Sequence, residues 1–135
     1  MYPPTDVLTA QNYDLQFGTN VLGHYLLSRL LIPMMERTAA SLPPTDPVRL
    51  IEVTSEGHHM NAHTGAELIN YDTLRPGKAR NATKASQRYF QSKSGNVLVA
   101  RARARHLEGK NIVTMVVHPG MHLPPSHPPR FLTKL

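Results

Sequence analysis

Residues 86–117 read SQRYFQSKSGNVLVARARARHLEGKNIVTMVV, and this stretch decides the fold. It contains two signals in series. The first is a helix over about 86–108, ended by Gly109, with Arg105 and His106 in the last turn, where cations offset the negative end of the helix dipole. The second is Asn111-Ile-Val-Thr-Met-Val-Val117, a β-branched and almost wholly apolar run that reads as a buried strand. A similar strand lies upstream, Val48-Arg-Leu-Ile-Glu-Val-Thr54. Two such strands joined through a helix predict a parallel pair in an α/β sheet, because parallel neighbours need a long crossover. Ser55 and His118-Pro119-Gly120 then fall together at the carboxyl edge, where open α/β sheets bind ligands.

Upstream of the first strand, Tyr13, Phe17, Val21, Leu22, Tyr25, Leu26, Leu30 and Leu31 recur at helical spacing. With Thr9 as cap they predict a helix over about 9–37. Gly18 and Gly23 flank Asn20, which predicts a kink with unpaired backbone groups there, and Pro33 is expected to disturb the last turns. Residues 39–47 hold three prolines and read as a loop. Residues 56–84 are polar and without a period, and read as a long surface loop of the kind that usually has a function. The order α, β, loop, α, β gives two strands and two long helices. Such a set has almost nowhere to bury its strand faces, so it looks like part of a larger α/β domain. The expected division is a domain part over 1–120 and an irregular tail over 121–135; five prolines lie between 119 and 135.

At 135 residues, 40% apolar and 18% charged, one domain is the ceiling. The absence of Cys excludes disulfides, thiolate zinc sites and cysteine nucleophiles, and fits a reducing compartment. The most apolar stretch, Val21 to Met35, is interrupted by His24, Arg29 and Pro33, so no transmembrane segment is expected. No signal peptide is legible either, and a cytoplasmic location is the resulting expectation. The net charge of +6 raises the question of nucleic acid, since Lys78, Arg80, Lys84, Arg88, Lys93, Arg101, Arg103 and Arg105 crowd into one region. Only Tyr89 and Phe90 are interleaved with them, so a solvated helix face is the reading preferred over a phosphate-binding surface. Gly18 and Gly23 have the gap of a P-loop, but His24 and Tyr25 stand where Lys and Ser or Thr are needed. His58, His59 and His63 lack the intervening Glu of a zinc hydrolase, and a polar loop is expected there, with no metal. His24 reads as a packing residue, and Asn81-Ala-Thr83 as a glycosylation acceptor that means little without secretion.

Tyr89 and Lys93, at i and i+4 of the second helix, meet on one face. An ammonium about 4 Å from a phenol is worth about 4 kcal/mol at an effective dielectric of about 20. That is roughly three pK units, less the opposing desolvation, enough to bring a Tyr from about 10 toward neutrality. A Tyr so placed can act as general acid or base for an alcohol–carbonyl interconversion. Alone, the pair reads first as a Lys stem lying on a Tyr ring. Its setting, with Ser55 at the sheet edge and Asn20 at the helix break, favours chemistry.

In order, the segments FGTNVLGHYLLSRLLIP, RLIEVTSEGHH, YFQSKSGNVLVARARARHLEGKNI and VHPG resemble short-chain dehydrogenases/reductases over about 8–120. The wording is closest to the retinol-dehydrogenase-like branch, which includes WW-domain oxidoreductases. The resemblance implies a partial Rossmann fold, an NAD or NADP cofactor, and hydride transfer to or from a small hydrophobic carbonyl or alcohol. It also implies roles. Tyr89 is the proton donor or acceptor, Lys93 lowers its pKa and bonds the nicotinamide ribose, and Ser55 orients the substrate oxygen. Asn20, in an Asn-x-x-Gly pattern with Gly23, holds a relay water and with it adjoins the cofactor. Pro119 and Gly120 line the nicotinamide pocket. The family's Gly-rich cofactor loop and Asn-Asn-Ala-Gly segment belong before Met1, and His122 and Pro124 replace an apolar residue and a Thr. A truncated product, bearing the catalytic side chains without a tight grip on a dinucleotide, is the expectation. Its alternative is a non-catalytic fragment joined to a full-length relative, or paired as a homodimer, through helices 9–37 and 86–108. Nucleic-acid binding through the basic helix ranks below both and is not expected.

Overall fold

Helix formation starts at Asp14, not Thr9, in the computed structural model, which describes residues 6–63 and 67–120. The Asp14 Oδ1 accepts from the backbone N–H of Gln16 (3.1 Å) and of Phe17 (3.2 Å). That satisfies two of the N–H groups that any helix start leaves unpaired. Thr9 Oγ1 accepts instead from Tyr13 N (3.1 Å), closing a turn ahead of the helix. Residues 15–40 are then helical throughout: α1 (Leu15–Phe17), a π-helical turn (Gly18–Gly23) and α2 (His24–Ala40). The expected break around Asn20 thus takes the form of a widened turn, bracketed by the two glycines. Pro33 does not end the helix, which continues to Ala40.

β1 (Val48–Val53) and β2 (Ile112–Val117) pair in parallel, in register from Val48↔Ile112 to Val53↔Val117. Between them lie α3 (Lys78–Ala82) and α4 (Ala85–His106). The α/β class and the two-stranded parallel sheet are as the sequence predicts, and the arrangement is that of a partial Rossmann fold. α2 and α4 both pack on the sheet. Leu107 and Ile112 are buried with Ala39, and Val48 and Leu50 pack against them. The opposite face of the sheet carries Ile51, Val53, Val113, Met115 and Val117, all exposed. The strands, read as buried, are buried on one face among the described residues, in keeping with a set of elements that has almost nowhere to bury both.

The stretch 56–84 is not a simple surface loop. It forms short 3-10 turns at Glu56–His58 and Tyr71–Thr73. Its Ile69 and Leu74 join Phe17 and Val21 in a second core cluster. Gln91 of α4 anchors it, Oε1 accepting from Asn70 N (2.8 Å) and Nε2 donating to the Thr73 hydroxyl (2.9 Å). The basic run is corrected as well. Arg101 and Arg105 are exposed, but Arg80, Arg88 and Arg103 are buried. Arg103 Nη1 reaches Glu52 Oε1 (3.1 Å) on the covered face of β1, and its Nη2 donates to Tyr25 O (2.8 Å). Burial pushes the Arg103 guanidinium below its ordinary value, with Glu52 and then Tyr25 pulling it back up. His24, read as a packing residue, is exposed. The Pro-rich tail over 121–135 lies outside the described residues.

Candidate active site

Gly57 is the hub of the carboxyl edge. A Cβ built on it would stand 2.7 Å from Phe90 Cδ1, 3.0 Å from Ser55 Oγ and 3.2 Å from Tyr89 Cε1. The Ser55 hydroxyl and the edge of the Tyr89 ring therefore converge on one point, although 34 positions separate them in sequence. Lys93 Nζ stands 5.7 Å from the centre of the Tyr89 ring, on the next turn of α4. All three side chains are half-buried.

Two bonds lock the strand end to the helix. Thr54 Oγ1 donates to Lys93 O (2.9 Å), and Asn96 Nδ2 donates to Val53 O (2.9 Å). The Ser55 backbone is extended, and its Oγ accepts from Gly57 N (3.0 Å), capping the 3-10 turn that follows. Asn20, on the π-helical turn, donates from Nδ2 to Ser92 Oγ (3.0 Å), and Ser92 in turn donates to Tyr89 O (2.7 Å). That turn can approach because Gly95 faces it: a Cβ there would lie 2.8 Å from Val21 Cγ2. Asn20, Ser55, Tyr89 and Lys93 thus gather at one end of the sheet.

Pro119 and Gly120 follow β2 at the same edge, both exposed, Gly120 with φ +86°. Gly120 N donates to His118 Nδ1 (3.1 Å), while His118 Nε2 faces Glu56 Oε2 at 3.4 Å. The loops after the two strands are therefore joined by a His–Glu contact that sequence reasoning missed. Position alone was the signal for it, since each residue lies just past a strand in a parallel pair. The anchoring roles of Thr54, Ser92 and Asn96 were missed too; buried Ser and Asn in mid-helix are their trace. His58 and His59 lie ring against ring (centroids 3.8 Å apart), and among the described residues no group of His, Asp and Glu is arranged to hold a metal.

No family profile matches the chain, and no solved structure matches it. Curated proteins do. The chain is 38% identical over 120 residues to a short-chain dehydrogenase/reductase of Armillaria gallica, covering 89% of this chain and 36% of that protein. It is 37% identical over 121 residues to an uncharacterized oxidoreductase of Schizosaccharomyces pombe (90% and 34% covered). It is 34% identical over 113 residues to retinol dehydrogenase 14 of Homo sapiens (84% and 29% covered). The chain spans about a third of the length of the curated relatives it matches. Over the matched residues, then, this chain is similar in sequence to short-chain dehydrogenases/reductases, retinol dehydrogenases among them.

Proposed function

We propose that this chain contributes the proton-transfer side of an NAD(P)-dependent oxidoreductase acting on a hydrophobic alcohol or carbonyl. The observation that carries the reading is the convergence of Ser55 Oγ and the Tyr89 ring on one point beside Gly57, with the Lys93 ammonium close to that ring. The donor set also suits a nicotinamide nucleotide. Tyr89 and Lys93 offer O–H and N–H donors for ribose hydroxyls, and nothing among the described residues stands within 4 Å of a Cβ built on Gly120. A nicotinamide supplies or accepts hydride when bound. In the reducing direction, Tyr89 gives its phenolic proton to the carbonyl oxygen as that oxygen gains charge. Ser55 donates a hydrogen bond to the same oxygen and fixes its position. Lys93 presents its ammonium to the Tyr89 phenol from the next turn of α4. Asn20, tied to Ser92 one residue before Lys93, holds the relay water through which Tyr89 regains its proton from solvent.

The test is nucleotide oxidation with NADH or NADPH and a panel of hydrophobic aldehydes, retinaldehyde included. Tyr89→Phe should lower turnover by about 10²-fold or more, the usual worth of a general acid. Equal rates for the two proteins, or no turnover with either nucleotide, would reject the reading.

A second reading rests on α2, whose Leu26, Leu27, Leu30, Leu31 and Met34 are exposed along one side. Here the chain associates through α2 and α4 with a related subunit and catalyses nothing itself. It fails if no homologous subunit co-purifies.

A further inference from the structure

His118 meets a different loop with each of its ring nitrogens. Nδ1 accepts from Gly120 N (3.1 Å), two residues on in the turn after β2. Nε2 stands 3.4 Å from Glu56 Oε2, in the turn after β1. Those two partners fix where the ring carries its proton. A main-chain N–H only donates and a carboxylate only accepts, so Nδ1 needs its lone pair and Nε2 needs its hydrogen. The neutral tautomer protonated on Nε2 satisfies both at once. The other tautomer sets two donors against each other at Gly120 and two acceptors at Glu56.

Both ends of this link are placed to matter. Gly120 has φ +86°, and among the described residues nothing stands within 4 Å of a Cβ built on it, so packing does not hold the turn there. At the other end, Glu56 opens the 3-10 turn that Ser55 Oγ caps by accepting from Gly57 N (3.0 Å). His58 Nδ1 lies 2.5 Å from Ser55 O, on the same turn. A displacement of Glu56 thus reaches Ser55 through a single peptide bond. The Glu56 and His118 side chains are 49% and 25% exposed, so their contact adds little to global stability and its effect is local.

We propose that His118 is a positioning residue: as the neutral ring protonated on Nε2, it couples the Gly120 turn to the Glu56 turn, so that the Ser55 hydroxyl and the backbone at Gly120 keep a fixed spacing. What that spacing serves rests on the function proposed above, a substrate oxygen at Ser55 and a nicotinamide nucleotide beside Gly120. The coupling itself does not.

Amide NMR of the whole chain, without ligand, reads the coupling directly. His118→Ala should speed hydrogen exchange at the Gly120 amide about fivefold, the worth of one hydrogen bond, and should move the Glu56 and Gly57 signals. His118→Asn should restore Gly120, because an Asn side chain still accepts from the N–H two residues on, while Glu56 and Gly57 stay displaced. Glu56→Ala should move the Gly120 signal from across the sheet edge. A Gly120 amide indifferent to either alanine variant, or a His118 ring protonated on Nδ1 in nitrogen-15 spectra, would overturn the proposal. Turnover with NADH or NADPH and retinaldehyde tests the use. His118→Ala and Glu56→Ala should each raise the KM for nucleotide about threefold, and the double variant no further, since both break one link. Additive increases would count against the coupling. No turnover in the unsubstituted chain, with the amides responding as described, rejects the proposed function and leaves the coupling standing.

Discussion

Gly57 is the residue on which the candidate site turns. Its missing side chain allows Phe90, Ser55 and Tyr89 to close on one spot, and its φ lies outside the positive range that glycine alone favours. The constraint is therefore steric, and Gly57→Ala should be felt as overpacking. A cost of about 1–3 kcal/mol in urea unfolding is expected, from the forced movement of the Phe90 ring. Turnover should fall with it, since the displaced neighbours include Ser55 and Tyr89. At this scale the sequence was legible where spacing carries the message: Tyr89 and Lys93 meet because they are i and i+4, and Ser55 lies just past a strand. It was not legible at Asp14. Nothing near Asp14 in sequence announces its ion-pair partners Arg80 and Arg88, which lie 66 and 74 positions away.

The helices and strands were easier to foresee than their ends and their inner faces. Both strands and α4 come from strong local patterns, and their limits shift by only one or two residues. The first helix begins six positions after Thr9 because a carboxylate that accepts two N–H groups is a better cap than a hydroxyl already used by Tyr13. The basic run misled for a physical reason. A helical arginine reads as solvated unless its partner is known, and Glu52, the partner of Arg103, sits on another element. That pair joins β1 to α4 at a cost in desolvation. Glu52→Leu or Arg103→Met alone should destabilise by about 3–5 kcal/mol, because each leaves a buried charge unpaired. The double variant Glu52→Leu with Arg103→Met should recover most of that loss. A double-mutant cycle in urea measures it, and additive losses would count against the pair.

At the scale of the molecule, apolar surface is poorly hidden among the described residues. Leu30 is 70% exposed and Met34 59%, and the open face of the sheet adds Ile51 and Val53 at 49% and 52%. Exposed apolar patches are places of contact with another protein, a membrane or a ligand, or of aggregation. The composition does not reveal it, since an apolar content of 40% is ordinary and only the arrangement shows which residues remain uncovered. If α2 is the contact, Leu30→Glu should abolish co-purification with a related subunit. It should leave the helical circular dichroism intact, since Leu30 packs against little among the described residues.

The bonds from Thr54 to Lys93 O and from Asn96 to Val53 O tie a strand terminus to the middle of a helix by way of main-chain oxygens. A main-chain acceptor survives any side-chain replacement at its own position, so this stitching is indifferent to what residues 53 and 93 carry. The chemistry of position 93 is thereby free to vary while its place in space is kept, and breathing of the strand tip must carry that helical turn along with it.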